Sequence, residues 1–255
     1  MYSSVLAVVL LLAAADSARL IPRIYGGDSV EIETYPYQVS VQWNNRHNCG
    51  GSIISPYWIL TAGHCVFEYE LKDTNVRAGT SFVERGGTVH RAAKIIKHSR
   101  FGINSGGSAE GDIALIKLAD PIVYDAQHQP IEMFEQDEET VEDTKAIVSG
   151  WGQTPTTWKP SQLQAVAVPM ISKRKCSDLY YKRFGPLPSG EICALVLGVG
   201  GKDACVGDSG GPLAVNQRLA GIVSWGEGCA RPYQPGVYTE VAFYRNWIEQ
   251  VIREN

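Results

Sequence analysis

Short runs rich in Val, Ile, Tyr and Trp alternate with glycine-containing turns along most of this 255-residue chain. Strand-sized runs without helix-period segments between them are typical of an all-β sandwich or barrel. The clearest runs cover residues 37–42, 52–60, 113–118, 145–151, 218–225 and 236–241. The pattern therefore predicts an all-β fold.

The C-terminus departs from this pattern. Its apolar residues fall at i, i+3, i+4, i+7 and i+8, which indicates one face of an amphipathic helix. These residues are Tyr244, Trp247, Ile248, Val251 and Ile252. An acidic stretch, residues 120–145, separates two strand-rich halves, and we interpret it as a solvated linker without a functional role. We therefore expect two β-domains joined by a linker, with a helix at the end.

The N-terminus contains an unbroken apolar run of 11 residues, 5–15. The run is too short to span a bilayer, and the small residue Ala18 follows where a signal peptidase would cut. Although no Lys or Arg precedes the run, we interpret residues 1–18 as a signal peptide rather than a buried helix, and we expect a secreted protein. The formal net charge of −4 gives no basis for binding nucleic acid or an anionic membrane surface.

Six cysteines occur in the chain, and an even number in a secreted protein indicates disulfides. Spacing alone leaves their pairing open. They are Cys49, Cys65, Cys176, Cys193, Cys205 and Cys229. A zinc site is the alternative, but no C-x₂-C pair occurs and only His64 lies directly beside a cysteine, so disulfides are favoured.

Ser209 lies in the glycine-rich block CVGDSGGP, residues 205–212. A tight glycine turn exposes a serine to substrate, and its successive backbone N–H groups can stabilise an oxyanion. A serine hydroxyl also needs a base within hydrogen-bond reach to act as a nucleophile. The block fits the G-x-S-x-G elbow of α/β-hydrolases, in which the histidine follows the serine in the chain. Here every histidine precedes Ser209, which excludes that class.

Two further residues become informative only in combination with Ser209. His64 lies in TAGHC and Asp112 lies in GDIALIKL; taken singly, each would be an ordinary loop or core residue. The chain order His64, Asp112, Ser209 is that of the chymotrypsin-like peptidases. These blocks, together with IYGG at residues 24–27, resemble trypsin, and the resemblance extends from Ile24 to the C-terminal helix.

The resemblance implies two six-stranded antiparallel Greek-key β-barrels with a C-terminal helix, the first over about residues 24–130 and the second over about 131–255. It implies that Ser209 is the nucleophile, His64 the general base and Asp112 the group that orients the imidazole. The backbone N–H groups of Gly207 and Ser209 would form the oxyanion hole. The implied disulfides are Cys49–Cys65, Cys176–Cys193 and Cys205–Cys229.

The substrate pocket is also carried over from the resemblance. Asp203 matches the acid at the base of the trypsin pocket, which implies cleavage after Arg or Lys. Gly226 and Gly236 match the small residues that keep such a pocket open. Ser224, Trp225 and Gly226 match the strand that pairs with the substrate backbone.

Activation is expected to follow the trypsin pattern. Residues 19–23 would be a propeptide ending at Arg23, and cleavage there would free the amine of Ile24 to pair with Asp208. Trypsins often bind calcium in a loop, but the matching stretch, residues 77–91, offers Glu84 as its only carboxylate. We therefore expect no metal and no cofactor.

Three functions remain open at this point. A digestive or broad-specificity trypsin is favoured because no regulatory domain lies before Ile24. A narrow-specificity processing protease comes second, and a non-catalytic binding homologue comes third because the three catalytic residues are all present. The expected partners are protein and peptide substrates and protein inhibitors of proteases, and the expected state is a monomer.

Overall fold

The computed structural model describes residues 24–103 and 108–255. The predicted signal peptide (1–18) and propeptide (19–23, with Arg23) lie outside the described residues. In the first half the strands are β1 (Asp28–Ser29), β2 (Gln38–Trp43), β3 (Arg46–Ser55), β4 (Trp58–Thr61), β5 (Thr74–Ala78), β6 (Thr88–Lys97), β7 (Gly102–Ile103), β8 (Ala109–Glu110) and β9 (Ala114–Leu118). In the second half they are β10 (Glu132–Met133), β11 (Lys145–Gly150), β12 (Gln164–Ile171), β13 (Glu191–Ala194), β14 (Pro212–Val215), β15 (Arg218–Trp225) and β16 (Gly236–Glu240). The α-helices are α1 (Lys173–Phe184) and α2 (Val241–Glu254), and short 3₁₀ helices cover Ile32–Thr34, His64–Val66 and Leu71–Asp73.

The first barrel is a closed antiparallel sheet with the strand order β2-β3-β4-β9-β6-β5. Alternating apolar residues point inward along its strands, and Val39, Ile53, Ile59 and Leu115 are fully buried there. A Cβ on Gly51 would lie 3.0 Å from the side chains of both Ile59 and Val39, so the interior is already filled.

The second barrel closes through the order β12-β11-β14-β15-β16-β13, because β13 pairs again with β12. β1 adds to β12, and the short β10 runs parallel to β15. Its core contains Val148, Met170, Leu213 and Tyr238, each fully buried. The prediction of two six-stranded antiparallel barrels with a C-terminal helix is confirmed.

Each end of the described chain packs against the barrel formed by the other half of the sequence. Ile24 is fully buried in the core of the second barrel, and it has a left-handed φ of 42°. At the other end, Tyr244, Ile248 and Val251 of α2 pack into the cluster that forms the core of the first barrel. These two crossings hold the barrels together and fix the cleft between them.

The acidic stretch between the barrels is bound to the second barrel by ion pairs. Arg218 donates to both carboxylate oxygens of Glu138, each over 2.7 Å. Arg245 of α2 donates to the backbone carbonyls of Met133 and Phe134 over 3.1 and 3.0 Å. The stretch therefore packs along β15 and α2 and is held there by specific contacts.

Three disulfides join Cys49 to Cys65, Cys176 to Cys193, and Cys205 to Cys229. These are the pairs that the trypsin resemblance implies. The second disulfide attaches α1, a helix that the strand pattern did not predict, to β13. Within the described part of the chain, no helix is both long enough and apolar enough to cross a membrane.

Candidate active site

A histidine and an aspartate from the first barrel form the central contact of the site. His64 follows β4, and Asp112 lies just before β9, the strand that pairs with β4. His64 Nδ1 and the backbone N–H of His64 donate to the two Asp112 carboxylate oxygens, each over 2.8 Å. Because Nδ1 carries the proton in this contact, Nε2 of the neutral ring can accept one.

Asp112 is held from both barrels and is only 1 % exposed. Burial favours its neutral form, but the hydrogen bonds from His64 and from Ser224 Oγ, the latter over 2.5 Å, hold the pKa of Asp112 below its ordinary value. Thr239 Oγ1 donates to the Asp112 backbone carbonyl over 2.7 Å. Since Ser224 and Thr239 belong to the second barrel, contacts from both barrels fix the position of this carboxylate.

Ser209 lies on a tight turn between β13 and β14. In this turn the Asp208 N–H donates to the Cys205 carbonyl, and the Gly211 N–H donates to the Asp208 carbonyl, both over 2.9 Å. Gly207 has a φ of 98°, in the region that only glycine adopts without strain. The turn therefore needs its glycine to present the serine.

The serine turn packs directly against the histidine segment. Gly210, the next residue after Ser209, approaches so closely that a Cβ there would lie 2.2 Å from Thr61 Oγ1 and 3.0 Å from Cys65 Sγ. The Ser209 carbonyl also accepts from the Gly50 N–H over 2.8 Å. These contacts bring a residue of the second barrel beside the His64 segment of the first.

His47 supports the peptide that follows Gly207, a contact that no sequence motif indicates. Its Nε2 lies 3.0 Å from the Gly207 carbonyl oxygen, and its Nδ1 lies 2.8 Å from Ser40 Oγ. Because a carbonyl can only accept, Nε2 carries the proton and the Ser40 hydroxyl donates to Nδ1. Burial lowers the pKa of His47, which favours this neutral form.

The backbone N–H groups of Gly207 and Ser209 are free to bind an anion. Within residues 24–103 and 108–255, neither group donates to a protein acceptor. Backbone donors that converge beside a nucleophile can stabilise the oxyanion of a tetrahedral intermediate. The planar peptide between Gly207 and Asp208 lies between these two N–H groups in the chain. The hydrogen bond from His47 fixes that peptide and so limits the reorientation of both N–H groups.

A cavity of about 250 Å³ opens beside Ser209. All the residues predicted to bind substrate line it. The lining residues are Asp203, Ala204, Cys205, Val206, Ser209, Val223, Ser224, Trp225, Gly226, Gly228, Cys229, Gly236, Val237 and Tyr238. The Cys205–Cys229 disulfide joins two walls of this cavity.

Asp203 is the acidic group of the cavity and is only 3 % exposed. The Ala230 N–H donates to its Oδ2 over 2.8 Å. Burial raises the pKa of Asp203 to about 7, despite the backbone hydrogen bonds from Ala230 and Ala204. The carboxyl group thus lacks a charged partner among the described residues, and a cation that entered the cavity would favour its ionised form.

Glycine at two positions keeps the cavity open. A Cβ on Gly236 would lie 2.7 Å from Asp203 Oδ1 and 2.9 Å from Tyr238 Oη, so any larger residue would displace the acid. A Cβ on Gly226 would meet protein atoms only at 3.7 Å or beyond. A larger residue at position 226 would therefore not clash with the protein, but its side chain would occupy part of the cavity.

Asp208 is completely buried beneath the serine turn. Its carboxylate accepts from the N–H groups of Gly152 and Cys205, over 2.7 and 2.9 Å. Burial nonetheless raises the pKa of Asp208 to about 6. The group is therefore held in a position where a cation would stabilise it.

Neither candidate metal site offers a suitable set of ligands. Cys49, His64 and Cys65 come close together, but the two cysteines share a disulfide and supply no thiolate. Glu84 in the loop between β5 and β6 pairs with Arg46 over 3.5 Å and accepts from the His47 backbone N–H over 3.4 Å. The expectation that the chain binds no metal remains a prediction.

Two antiparallel barrels, with an aspartate–histidine pair on the first and a glycine-framed serine on the second, define the class of chymotrypsin-like serine endopeptidases. Comparisons with known proteins agree. The family model for trypsin matches residues 24–248. The chain is 40% identical to the vitellin-degrading protease of Bombyx mori over 231 residues, 90% of this chain and 86% of that protein. It is 42% identical to trypsin eta of Drosophila melanogaster over 258 residues, 96% of this chain and 94% of that protein.

A trypsin of Simulium vittatum is also similar, at 42% identity over 235 residues, 88% of this chain and 91% of that protein. The chain therefore belongs to the trypsin family. It is a serine endopeptidase, and its substrates are proteins.

Proposed function

We propose that this chain is the secreted zymogen of a peptidase that cleaves proteins after Arg or Lys. The observation that carries the proposal is the unpaired carboxyl group of Asp203 in the cavity beside Ser209. The decisive experiment is to cut the chain after Arg23 and compare hydrolysis of matched peptides that end in Arg, Lys or Tyr. Preferential hydrolysis of the tyrosine peptide would reject the proposed specificity.

In the proposed mechanism Ser209 Oγ attacks the scissile carbonyl carbon while His64 Nε2 takes the hydroxyl proton. His64 then gives that proton to the leaving amine, and a water repeats the sequence to release the acyl group. Asp112 holds the imidazole in the required tautomer through its 2.8 Å contact with Nδ1 and stabilises the imidazolium. The N–H groups of Gly207 and Ser209 bind the oxyanion.

The specificity follows from the electrostatics of a buried acid. Leaving one member of a buried ion pair without its partner costs about 3–5 kcal/mol, so a cationic side chain that reaches Asp203 binds far better than a neutral one. Arginine can bond bidentately, whereas lysine acts as a point charge. Ala204 beside Asp203 has no hydroxyl to help hold a lysine, which favours arginine.

Activation would begin with hydrolysis of the bond between Arg23 and Ile24. The new amine would pair with Asp208, the buried carboxylate under the serine turn. Because Arg23 fits the proposed specificity, the enzyme can activate other copies of itself. Secretion is supported by the apolar run at residues 5–15 and by the three disulfides.

The physiological role proposed is digestion or broad proteolysis, by a monomer that protein inhibitors can block. A narrow-specificity processing enzyme is the alternative. It is worth testing because the name of one relative, the vitellin-degrading protease, states a single substrate. Cleavage of a peptide library separates the two roles. A broad enzyme accepts most residues around the cut arginine, whereas a processing enzyme selects several of them.

Replacing Asp203 by asparagine is expected to lower kcat/KM for an arginine peptide by about 10²- to 10⁴-fold, because the ion pair of about 3–5 kcal/mol is lost. Activity on a tyrosine peptide should not fall. The measurement is kcat/KM for both peptides with the cut enzyme. Asp178→Asn, on α1, is the matched control and should leave both values unchanged. An equal loss on both peptides would contradict a specificity role.

Binding of benzamidine, a small amidinium ion, is expected to weaken as the pH falls below about 7, the pKa of Asp203 in the empty cavity. Below that pH the raised pKa keeps the acid neutral, so binding must release a proton and Kd rises by about tenfold per pH unit. Calorimetry in two buffers of different ionisation enthalpy measures Kd and the released proton. The Asp203→Asn variant should bind benzamidine weakly, with no dependence of Kd on pH and no proton release. A proton release that is unchanged in this variant would show that the proton does not come from Asp203.

A further inference from the structure

A buried glutamate that has no part in the proposed mechanism lies directly behind Trp225. Glu191 begins β13 and is only 4 % exposed. The Trp225 indole Nε1–H donates to Glu191 Oε1 over 2.8 Å. The second oxygen, Oε2, is buried and has no hydrogen-bond partner among the described residues. An orphaned buried oxygen is uncommon, because its desolvation is not compensated.

Trp225 is held by this bond and by two aromatic rings. The Tyr180 ring centroid lies 5.0 Å from that of Trp225, and the Phe184 centroid lies 5.3 Å away. Trp225 also lines the cavity that contains Asp203. The hydrogen bond to Glu191 is therefore one of three contacts that set the position of an aromatic wall of the candidate binding site.

The surroundings of Glu191 disfavour its charged form. Burial raises its pKa to about 8; the bond from Trp225 opposes the rise, and like charge on Asp112 and Glu110 adds to it. From α2, Tyr244 is the nearby titratable group, and its own pKa is raised to about 12 by burial and by Glu191. Below a pH of about 8, Glu191 is therefore mainly neutral in the arrangement that the structure shows.

A different environment lies on the other side of Glu191. The residue lines a cavity of about 440 Å³ together with Lys173 and Arg174 at the start of α1. Lys173 pairs with Glu240 over 2.7 Å, and Arg174 is exposed. An ionised carboxylate that turned into this cavity would gain water and the positive charge of Arg174, since Lys173 is already paired with Glu240. It would also leave the like charge of Asp112.

We propose that Glu191 is a pH-dependent positioning residue for Trp225. In the neutral form it holds the indole through Oε1. In the ionised form its carboxylate turns into the cavity on the Arg174 side, where water hydrates it, and releases the indole N–H. The inference rests on the proposed function and on the expectation that the strand of Ser224, Trp225 and Gly226 pairs with the substrate backbone, which would place Trp225 beside the peptide residues that precede the cut arginine. Recognition of those residues weakens as Glu191 ionises, whereas the chemistry at Ser209 continues.

The test compares two arginine p-nitroanilides on the enzyme cut after Arg23. One carries only a blocked arginine, and the other carries four residues ending in arginine. Because the pKa of Glu191 is about 8, the ratio of kcat/KM for the long substrate to that for the short one is expected to be about tenfold lower at pH 9 than at pH 7. The change should appear as a higher KM for the long substrate. In Glu191→Gln, which accepts the indole bond but does not ionise, the ratio should not change with pH.

The ratio removes effects that act on both substrates, including loss of the Ile24 ammonium at high pH. Glu68→Gln is the matched control, since Glu68 is an exposed glutamate in the first barrel, remote from Trp225 in the chain and with no hydrogen bond to it, and it should behave like the parent enzyme. A second measurement uses tryptophan fluorescence without substrate. The parent should show a transition near pH 8 that is absent from Glu191→Gln and from Trp225→Phe.

A ratio that falls equally in the parent and in Glu191→Gln would overturn the inference, as would a fluorescence transition that survives in Glu191→Gln. Failure of the proposed function gives a different result. In that case the short arginine substrate is not hydrolysed at any pH, while the fluorescence titration still reports whether Glu191 controls Trp225.

Discussion

Replacing Ser209 by alanine is expected to lower kcat for an arginine peptide by about 10⁶-fold, with little change in Tm. The hydroxyl is the nucleophile in the proposed mechanism, and the acyl-enzyme cannot form without it. Substrate binding should persist, because Asp203 and the N–H groups of the serine turn remain in place. Stability should persist because the turn is held by its backbone bonds and by neighbouring glycines.

The experiment needs chains that have been cut after Arg23 by an added protease, because the variant cannot activate itself. The concentration of cut chain, from absorbance and N-terminal sequencing, and kcat are measured after that protease is removed. Ser99→Ala, at an exposed serine, is the matched control and should keep the parent kcat. Retention of more than about one-hundredth of the parent kcat in Ser209→Ala would assign the nucleophile to another residue.

Replacing Arg23 by glutamine is expected to give a secreted protein with no measurable peptidase activity. A trypsin-type protease cannot cut after glutamine, so the Ile24 amine is never formed and Asp208 gains no cationic partner. Activity of the purified protein and its N-terminal sequence are the measurements. The parent should begin at Ile24, and the variant should retain residues before it.

Arg23→Lys is the matched control, because a trypsin-type protease accepts lysine at the same position and the mature chain is identical. It should be cut and become fully active. Normal activity in the glutamine variant would refute the activation scheme. An inactive lysine variant with Ile24 at its N-terminus would separate cleavage from activation and refute the same scheme.

Strand positions in the second barrel could be predicted closely from the sequence. The runs at residues 145–151, 218–225 and 236–241 correspond to β11, β15 and β16 within one residue at each end. Their short runs rich in Val, Ile, Tyr and Trp, bounded by turn residues, are sufficient because these strands are buried almost throughout. Residues 52–60 are less clear, since Pro56 and Tyr57 form a turn that divides the run between β3 and β4.

Helix α1 could not be predicted from its sequence pattern. Only Cys176 and Tyr180 are buried on it, and most of its other residues are charged or polar. A helix with such a narrow apolar face depends on tertiary contacts. Here the contacts are the disulfide to Cys193 and the Tyr180 hydroxyl, which donates to the Pro235 carbonyl over 2.6 Å.

Some residues of the candidate site could also be predicted from the sequence, and others could not. His64, Asp112 and Ser209 stand in motifs, so their roles could be proposed from the amino-acid sequence alone. His47 and Glu191 have no motif, because each acts through one contact with a residue far away in the chain, Gly207 and Trp225 respectively. Buried polar partners of this kind become visible only when the strands are placed side by side.

In the proposed activation, the left-handed φ of Ile24 would add a driving force for hydrolysis after residue 23 that is unrelated to any ion pair. A β-branched residue held at a φ of 42° carries backbone strain, on the order of 1–3 kcal/mol. That dihedral exists only while Ile24 is joined to the preceding residue, so hydrolysis removes the torsion and its strain together. Burying the same side chain then becomes easier without any new contact, and re-forming the peptide bond would require the strain to be restored.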